Sequence, residues 1–378
     1  MDSKGAARVI VGLSGGVDSA VAALLLKEQG YDVQGLFMSN WEDDDGYCTV
    51  SEDFQDARAV ARELAIPLHR VSFAAHYRAR VFERFLAELR AGRTPNPDVL
   101  CNREVKFGVA LRYVRRLGGE WFATGHYARL VRAPGGLELH QARDSQKDQT
   151  YFLHAVERTE LEQVMMPLGE LAKEEVRARA RRAGLPVFDK PDSTGICFIG
   201  ERPFREFLAR FLPSEPGPIE SPDGRALGLH RGLAFYTLGQ REGLGIGGRR
   251  GAAPSPWYVA AKDLPRNVLV VVQGRDHPLL KHTQLTTGRM HWLGRPLEAA
   301  GRCAVKVRHR QADQPALLEP LADGAAHIRF DEAQRAVAAG QYAVAYDGTR
   351  CLGGGVIEQV GPDIIARSAR EPCLRRIS

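Results

Sequence analysis

From residue 8 to about 130, apolar runs of strand length alternate with stretches of helical period: RVIVGL, DSAVAALLLKEQG, YDVQGLFM, SEDFQDARAVARELA, IPLHRVSF, AHYRARVFERFLAELRAG and EWFATGHY. Short strands separated by amphipathic helices predict a parallel sheet covered on both faces, an α/β doubly wound unit. Ser51 is placed to cap the helix that follows it, and Gly30 and Gly92 stand where a left-handed residue would end a helix. A further helical stretch, ELAKEEVRARARRAGLP, closes this region. From about Pro213 the chain turns to SEPGPIESPDG. Beyond it LAFYTLGQREGLGIGG, PWYVAAKDLPRNVLVVVQG, CAVKVRHRQ, AAHIRFD, QYAVAYDG and CLGGGVIEQV read as short β runs between turns. The expected division is 1–212 for the α/β unit, 213–275 for a small central β domain and 276–378 for a barrel-like β domain. IARSAREPCLRRIS is expected to be a frayed basic tail.

Composition narrows the class. A chain of 378 residues with 44% hydrophobic and 26% charged residues is an ordinary globular protein, long enough for two or three domains. No run of about 18 apolar residues exists to span a bilayer. The N-terminal MDSKGAARVIVGL leads into glycines and an aspartate rather than a small-residue cleavage site, which points to the cytoplasm and away from a membrane. Six cysteines (Cys48, Cys101, Cys197, Cys303, Cys351 and Cys373) form no CxxC pair, which argues against a zinc site and a secreted disulfide framework. The net charge of +6 is mild for a polyanion binder, so the placement of the basic residues matters more than their sum.

After the first strand comes SGGVDS (Ser14–Ser19) and then an apolar helix. A glycine-serine turn at the carboxyl end of a parallel strand and the N-terminus of a helix is where anions bind: backbone N–H groups point outward and the helix dipole favours phosphate. Gly15 and Gly16 let the backbone approach, and Ser14 and Ser19 add hydroxyls. The loop has no lysine and lacks the spacing of GxxxxGK[ST] and of GxGxxG, so it is neither a kinase-type phosphate loop nor a dinucleotide fingerprint. A glycine turn with no ligand is the competing reading. Asp18 would repel phosphate unless it held a magnesium ion or oriented the loop.

Two cysteines attract separate questions. In GRTPNPDVLCNREVKFG (Gly92–Gly108) two prolines stiffen a turn, and Cys101 is expected near the first turn of a helix, where a thiol pKa falls. Arg103 and Lys106 would add positive potential, although a lone intracellular cysteine is more often simply packed. In DSTGICFIG, Cys197 lies between two glycines beside apolar residues, equally compatible with packing and with chemistry.

SGGVDS resembles the SGGxDS pyrophosphate loop of the ATP-pyrophosphatases. Taken with TPNPDVLCNREVKF, ATGHYAR, DSQKDQTYFL, DSTGICFIGERPFREFL, YTLGQREGLGIGG, PWYV, VKVRHRQAD and CLGGGVIEQ, the chain resembles the bacterial tRNA 2-thiouridylase family over nearly its whole length. The resemblance implies that ATP is split between its α and β phosphates to adenylate the C2 oxygen of a wobble uridine, which a persulfide sulfur then replaces. It implies an ATP site at Gly12, Leu13, Ser14, Gly15, Gly16, Val17, Asp18, Ser19, Met38 and Gly125. Cys197 is the implied persulfide carrier and Cys101 the partner thiol able to close a disulfide with it.

By the same resemblance Asn96, Pro97 and Asp98 meet the target uridine. Asp98 is the candidate for proton transfer or base orientation, with a plain turn-forming role as the alternative. His126, Lys147, Asp148, Gln149, Arg308, His309 and Gln341 correspond to tRNA contacts, His309 standing where the family carries tyrosine. From the residues alone, Lys306, Arg308 and Arg310 in an alternating strand pattern would share one face, a small phosphate-binding stripe or else a solvated β surface. The implied partners are tRNAs for Lys, Glu and Gln and a persulfide donor protein. The target base is expected to flip out of the anticodon loop into a pocket between Cys101 and Cys197. An ATP-pyrophosphatase that forms an amide or lysidine bond would need neither cysteine, and an inert tRNA-binding relative would have lost SGGVDS.

Overall fold

The computed structural model describes residues 6–41, 50–192, 204–246 and 255–361. Strands β1 (Arg8–Gly12), β2 (Asp32–Ser39), β3 (Leu68–Ser72), β4 (Trp121–Ala123), a hairpin of β5 (Ala128–Ala133) and β6 (Gly136–Gln141), and β7 (Val164–Met165) form the first part of the chain. Five of them pair in parallel in the order β3-β2-β1-β4-β7. Side chains of β1 alternate between two cores: Val9 and Val11 face one, with Ala20, Val21 and Val60, while Ile10 faces the other, with Phe107 and Phe122. A sheet buried on both faces is what its near-continuous apolar strands require. The α/β doubly wound expectation holds.

The order in which strands are added reverses at β1, since β2 and β3 lie on one side of it and β4 and β7 on the other. The crevice at the carboxyl ends of β1 and β4 is therefore the topological switch point of the sheet, the place where such folds bind ligands. The helix ends read from glycine are also found: Gly30 and Gly92 have φ of +86° and +73°. Ser51 is different. It lies inside the helix Val50–Glu63 rather than ahead of it, so it is not the cap.

The remaining strands form two further sheets. β8 (Gly217–Glu220), β9 (Ala226–His230), β10 (Trp257–Asp263) and β11 (Val268–Gln273) pair in the order β10-β11-β8-β9. β12 (Lys281–Thr287), β13 (His291–Trp292), β14 (Gly301–Lys306), β15 (Gln314–Pro320), β16 (Ala326–Arg335), β17 (Tyr342–Asp347) and β18 (Arg350–Val360) follow. The order β12-β16-β15-β14-β17-β18 closes through β12 and β18 into a six-stranded barrel, which removes its edges. The hairpin β5–β6 of the first part joins this sheet: His140 pairs with Arg350 and Leu139 with Cys351. One apolar core accordingly runs from Ile10 and Phe122 of the parallel sheet through Leu139 and Tyr151 to Tyr342 and Tyr346 of the barrel.

Two expected β runs are not strands. In YTLGQREGLGIGG the described residues 236–246 turn repeatedly, because Gly239, Gly243 and Gly245 all have positive φ and Gln240 Oε1 accepts from Thr237 N at 3.0 Å. CAVKVRHRQ is strand only as far as Lys306. Val307 N, which would continue the ladder, donates instead to Gln311 Oε1 at 2.9 Å. The expected C-terminal tail IARSAREPCLRRIS falls wholly within residues 362–378, which lie outside the described residues.

Candidate active site at the sheet switch point

β1 ends at Gly12, and buried Leu13 still donates its N–H to Leu36 O at 2.9 Å, so the strand delivers Ser14 at the crevice. The next helix, Val17–Glu28, starts after an extended Gly16 with no side-chain cap. Its first-turn N–H groups have no intrahelical acceptor, which suits them to an anion. The serines shape the loop from within: Ser14 N donates to Ser19 Oγ at 3.1 Å, and Ser19 Oγ donates to Gly16 O at 3.0 Å. Gly15 has φ +80°, and a Cβ there would sit 2.4 Å from Asp53 O, so no other residue fits. Gly125, following β4, packs against the loop itself. A Cβ on it would lie 2.7 Å from Ser19 N, so this glycine is needed for loop packing. Met38 flanks the loop where β2 ends, with its methyl 3.5 Å from where a Cβ on Gly12 would lie.

The charge of Asp18 is answered by protein. Lys173 Nζ is 2.7 Å from both carboxylate oxygens, and the Tyr127 hydroxyl donates to Oδ1 at 2.8 Å. Burial first, and then the charge of Asp18, pushes the Tyr127 hydroxyl far above its usual pKa and keeps it a donor. Lys173 also reaches Asp192 Oδ1 at 2.7 Å, where Arg177 joins at 3.1 Å and Lys147 binds the other oxygen. Burial alone would raise the Asp192 carboxyl, but hydrogen bonds from Lys147 and Lys173 outweigh it and hold the group at about 2.

With both Asp18 oxygens engaged by an ammonium, the carboxylate does not fit the part of a magnesium ligand. Among the described residues no group of three His, Cys, Asp or Glu stands ready to hold a metal ion. Sequence reading missed Lys173, Tyr127 and Asp192. One signal was present: Lys173 opens the helix Lys173–Arg182 at its N-terminus, where the dipole disfavours a cation and where Glu174 and Glu175 are the ordinary choice.

The second candidate region is the helical run 97–116, built from Pro97–Leu100, a π-helical stretch Cys101–Ala110, and Leu111–Arg116. Asn96 is its N-cap, accepting from Asp98 N at 3.2 Å, and Pro97 occupies N1, where its missing N–H costs nothing. Cys101 is the fifth residue of this run, directly after its first turn, as expected. It is fully buried, in a core with Phe73, Tyr77, Val81 and Phe82. Stretches of π-helix are rare and cluster at functional sites. Arg103 is ion-paired to Glu104 at 2.9 Å, which directs its charge there. Lys106 acts instead on His126. Burial, with help from that lysine, drops the His126 pKa well below its usual value, so the ring is neutral. His126 is 9% exposed, with Nδ1 2.8 Å from Thr124 Oγ1. Cys197 and residues 193–203 around it lie outside the described residues. The chain approaches them from Asp192, five residues earlier, at the Lys147–Lys173–Arg177 cluster.

The expected RNA contacts are mostly engaged within the protein. Asp148 is 4% exposed, takes hydrogen bonds from Ala142 N and from Thr150, and lies 3.6 Å from Lys306 Nζ. Gln149 Oε1 accepts from Tyr127 N at 2.9 Å. The basic stripe is not one exposed strand face: Lys306 is buried between Asp148 and Asp313, Arg308 is half-buried with its guanidinium on Ala336 O, and Arg310 alone of the three is exposed. His309 donates from Nε2 to Asp148 O at 2.8 Å and leans on the Phe152 ring at 4.3 Å. Gln341 Nε2 donates to Thr94 O at 2.9 Å.

Known proteins match this arrangement along the chain. The family described as tRNA methyl transferase HUP domain matches residues 7–201, the tRNA methyl transferase PRC-barrel domain matches 205–273, and the aminomethyltransferase beta-barrel domain matches 282–357. The protein named tRNA-specific 2-thiouridylase MnmA of Chromohalobacter salexigens is 56% identical over 93% of this chain and 92% of its own. Those of Burkholderia thailandensis and Pseudomonas paraeruginosa are 54% and 56% identical, each again over 93% of this chain and covering 93% and 94% of their own lengths. The family descriptions speak of methyl transfer and the relatives' names of thiolation. The relatives span nearly the whole chain with over half of the aligned residues identical, and theirs is the more specific likeness.

Proposed function

The chain belongs to the tRNA-specific 2-thiouridylase family, and on that premise we propose that it replaces the C2 oxygen of a tRNA wobble uridine by sulfur, using ATP. The uridine C2 oxygen attacks the α phosphorus, pyrophosphate leaves, and the C2–O–AMP ester becomes a good leaving group. The terminal sulfur of a Cys197 persulfide attacks C2, and AMP departs. The Cys101 thiolate then attacks the Cys197 sulfur. The S–S bond to the base breaks, the electron pair goes to the new 2-thiouridine, and a Cys101–Cys197 disulfide forms, which a cellular thiol reductant reopens.

One observation carries the reading. The uncapped SGGVDS helix start lies at the switch point with its own carboxylate neutralised by Lys173, which leaves its N–H groups to an anionic leaving group. Gly12 to Ser19, Met38 and Gly125 line the ATP site, Asn96 to Asp98 present the uridine, and Asp98 orients it or takes its proton. Cys197 follows Asp192 by five residues in the sequence. Exposed Arg310 and the partly exposed Lys147 suit phosphate contacts. tRNAs for Lys, Glu and Gln are the expected substrates, with a persulfide protein as donor and the cytoplasm as the site of action. Among the described residues no helix is long and apolar enough to cross a membrane. Any magnesium would arrive with the nucleotide.

The test is nucleoside analysis of tRNA incubated with the protein, ATP and a low-molecular-weight persulfide, which passes its outer sulfur to the Cys197 thiolate and leaves as a thiol. 2-Thiouridine should appear with equimolar AMP and pyrophosphate. A parallel incubation with ammonia or lysine in place of the sulfur donor that yields AMP and an amine-modified base would favour the amide- or lysidine-forming alternative.

A further inference from the structure

We propose that Gln341 is a positioning residue for the catalytic turn, and that with Leu264 it clamps the segment leading into Asn96, Asp98 and Cys101 from two sides. The inference rests on the thiolation reading for its kinetic consequence, but its geometry stands by itself. The barrel provides the first jaw. Thr94 N donates to Ala339 O at 2.8 Å and Thr94 O accepts from Gln341 Nε2 at 2.9 Å, so both backbone groups of Thr94 are satisfied by the barrel. Gly340 makes this approach possible: its φ is +92°, and a Cβ on it would lie 2.9 Å from Thr94 N. Gln341 is itself held in the barrel, because Ile357 N donates to its carbonyl at 2.7 Å. Its Oε1 faces the Tyr151 hydroxyl at 3.5 Å, whose single proton goes to Tyr342 O at 3.0 Å.

The second jaw is the turn between β10 and β11. Leu264 covers Gly92 so closely that a Cβ there would be 2.7 Å from Leu264 Cδ2, although Leu264 is 46% exposed. Gly92 and Thr94 lie four and two residues before Asn96, the cap of the run that carries Asp98 and Cys101. The central sheet and the barrel thus meet on one short segment of the α/β unit. Because both ends of the Gln341 amide face protein, the side chain sets where the catalytic turn lies instead of gripping RNA.

Single-turnover thiolation by the full chain, with tRNA, ATP and a low-molecular-weight persulfide as sulfur donor, separates these roles when tRNA affinity is measured alongside. In Gln341→Ala, and in Gln341→Glu, which keeps an oxygen facing Tyr151 but loses the donor to Thr94 O, the rate at saturating tRNA should fall about tenfold while affinity stays within about twofold. Leu264→Ala should lower the rate in the same sense. An affinity loss with an unchanged saturating rate would make Gln341 an RNA contact and overturn the proposal. Hydrogen exchange of amides 95–101 gives a readout that does not depend on the reaction. It should accelerate in both Gln341 variants without a change in global unfolding, and unchanged exchange would also overturn the clamp. If the unaltered chain forms no 2-thiouridine while exchange responds as stated, it is the thiolation reading that fails.

Discussion

Lys173 Nζ lies 2.7 Å from each carboxylate oxygen of Asp18, bridging the helix Lys173–Arg182 to the anion loop across 155 residues of sequence. A loop without a lysine of its own has thus acquired one from a distant helix, and its acidic residue is compatible with a phosphate ligand for that reason.

Replacing Lys173 by methionine leaves Asp18 and Asp192 facing one another without their shared cation. Since Asp18 is about a third exposed, the cost should be discounted to about 2 kcal/mol from the larger penalty of a fully buried unpaired charge. ATP-dependent pyrophosphate release should fall about 100-fold. Urea unfolding and a pyrophosphate assay check the two effects. Adding Asp18→Asn should recover part of the stability but not the activity.

Acid should weaken the fold through two histidines. Burial lowers the His154 pKa from 6.5 to about 4, and His126 is shifted the same way. A histidine whose folded pKa lies below its unfolded value takes up its proton on unfolding, so its contribution to stability is complete above about pH 6.5 and is lost as the pH falls toward 4. His154→Asn keeps a donor for Tyr151 O, which His154 Nδ1 meets at 2.7 Å, and removes one titration. The slope of unfolding free energy against pH in this window should become shallower by about 1.4 kcal/mol per pH unit. Denaturant unfolding at a series of pH values measures it.

Asn96→Ala removes the oxygen that accepts from Asp98 N. The loss of the cap should cost about 1 kcal/mol and fray the turn that holds Asp98, with thiolation falling more than tRNA affinity. Hydrogen exchange at residues 97–101 and single-turnover rates together report it.

The two outer arginines of KVRHRQ should separate. Arg310 is exposed, and Arg310→Gln should reduce the salt dependence of tRNA binding by about one unit of slope. Arg308 is bound to Ala336 O, and burial lowers its pKa, so Arg308→Gln should register mainly as lost stability. A salt titration of tRNA affinity paired with thermal unfolding distinguishes them.

The α/β unit was legible because the period of its apolar residues is local: RVIVGL and YDVQGLFM are strands by their own composition. The placing of SGGVDS between a strand end and a helix start was legible for the same reason, being contiguous. What escaped depends on distant partners. Lys173 looks like a surface lysine until Asp18 and Asp192 are brought to it. Lys306 fits an outward-facing stripe until Asp148 and Asp313 enclose it. The hairpin β5–β6 carries buried Leu137 and Leu139 among Arg132, Glu138 and His140, too weak an alternation to stand out when its neighbour strand comes 200 residues later. Ser51 shows the converse limit, for a residue with capping chemistry need not stand at the end of the helix. Cys197, the proposed persulfide carrier, lies outside the described residues.

The pairing of Leu139 and His140 with Cys351 and Arg350 bears on how the chain is made. At a synthesis rate of roughly 5 to 20 residues per second, the hairpin leaves the ribosome about 10 to 40 seconds before its partner strand is translated. During that interval one flank of β6 is an open template for other strands, so the nascent chain passes through an aggregation-prone stage that ends with the arrival of β18. An excised fragment ending at residue 212 would remain in that stage permanently. Chaperone dependence, or insolubility of such a fragment beside a well-behaved full chain, is the cellular signature to expect.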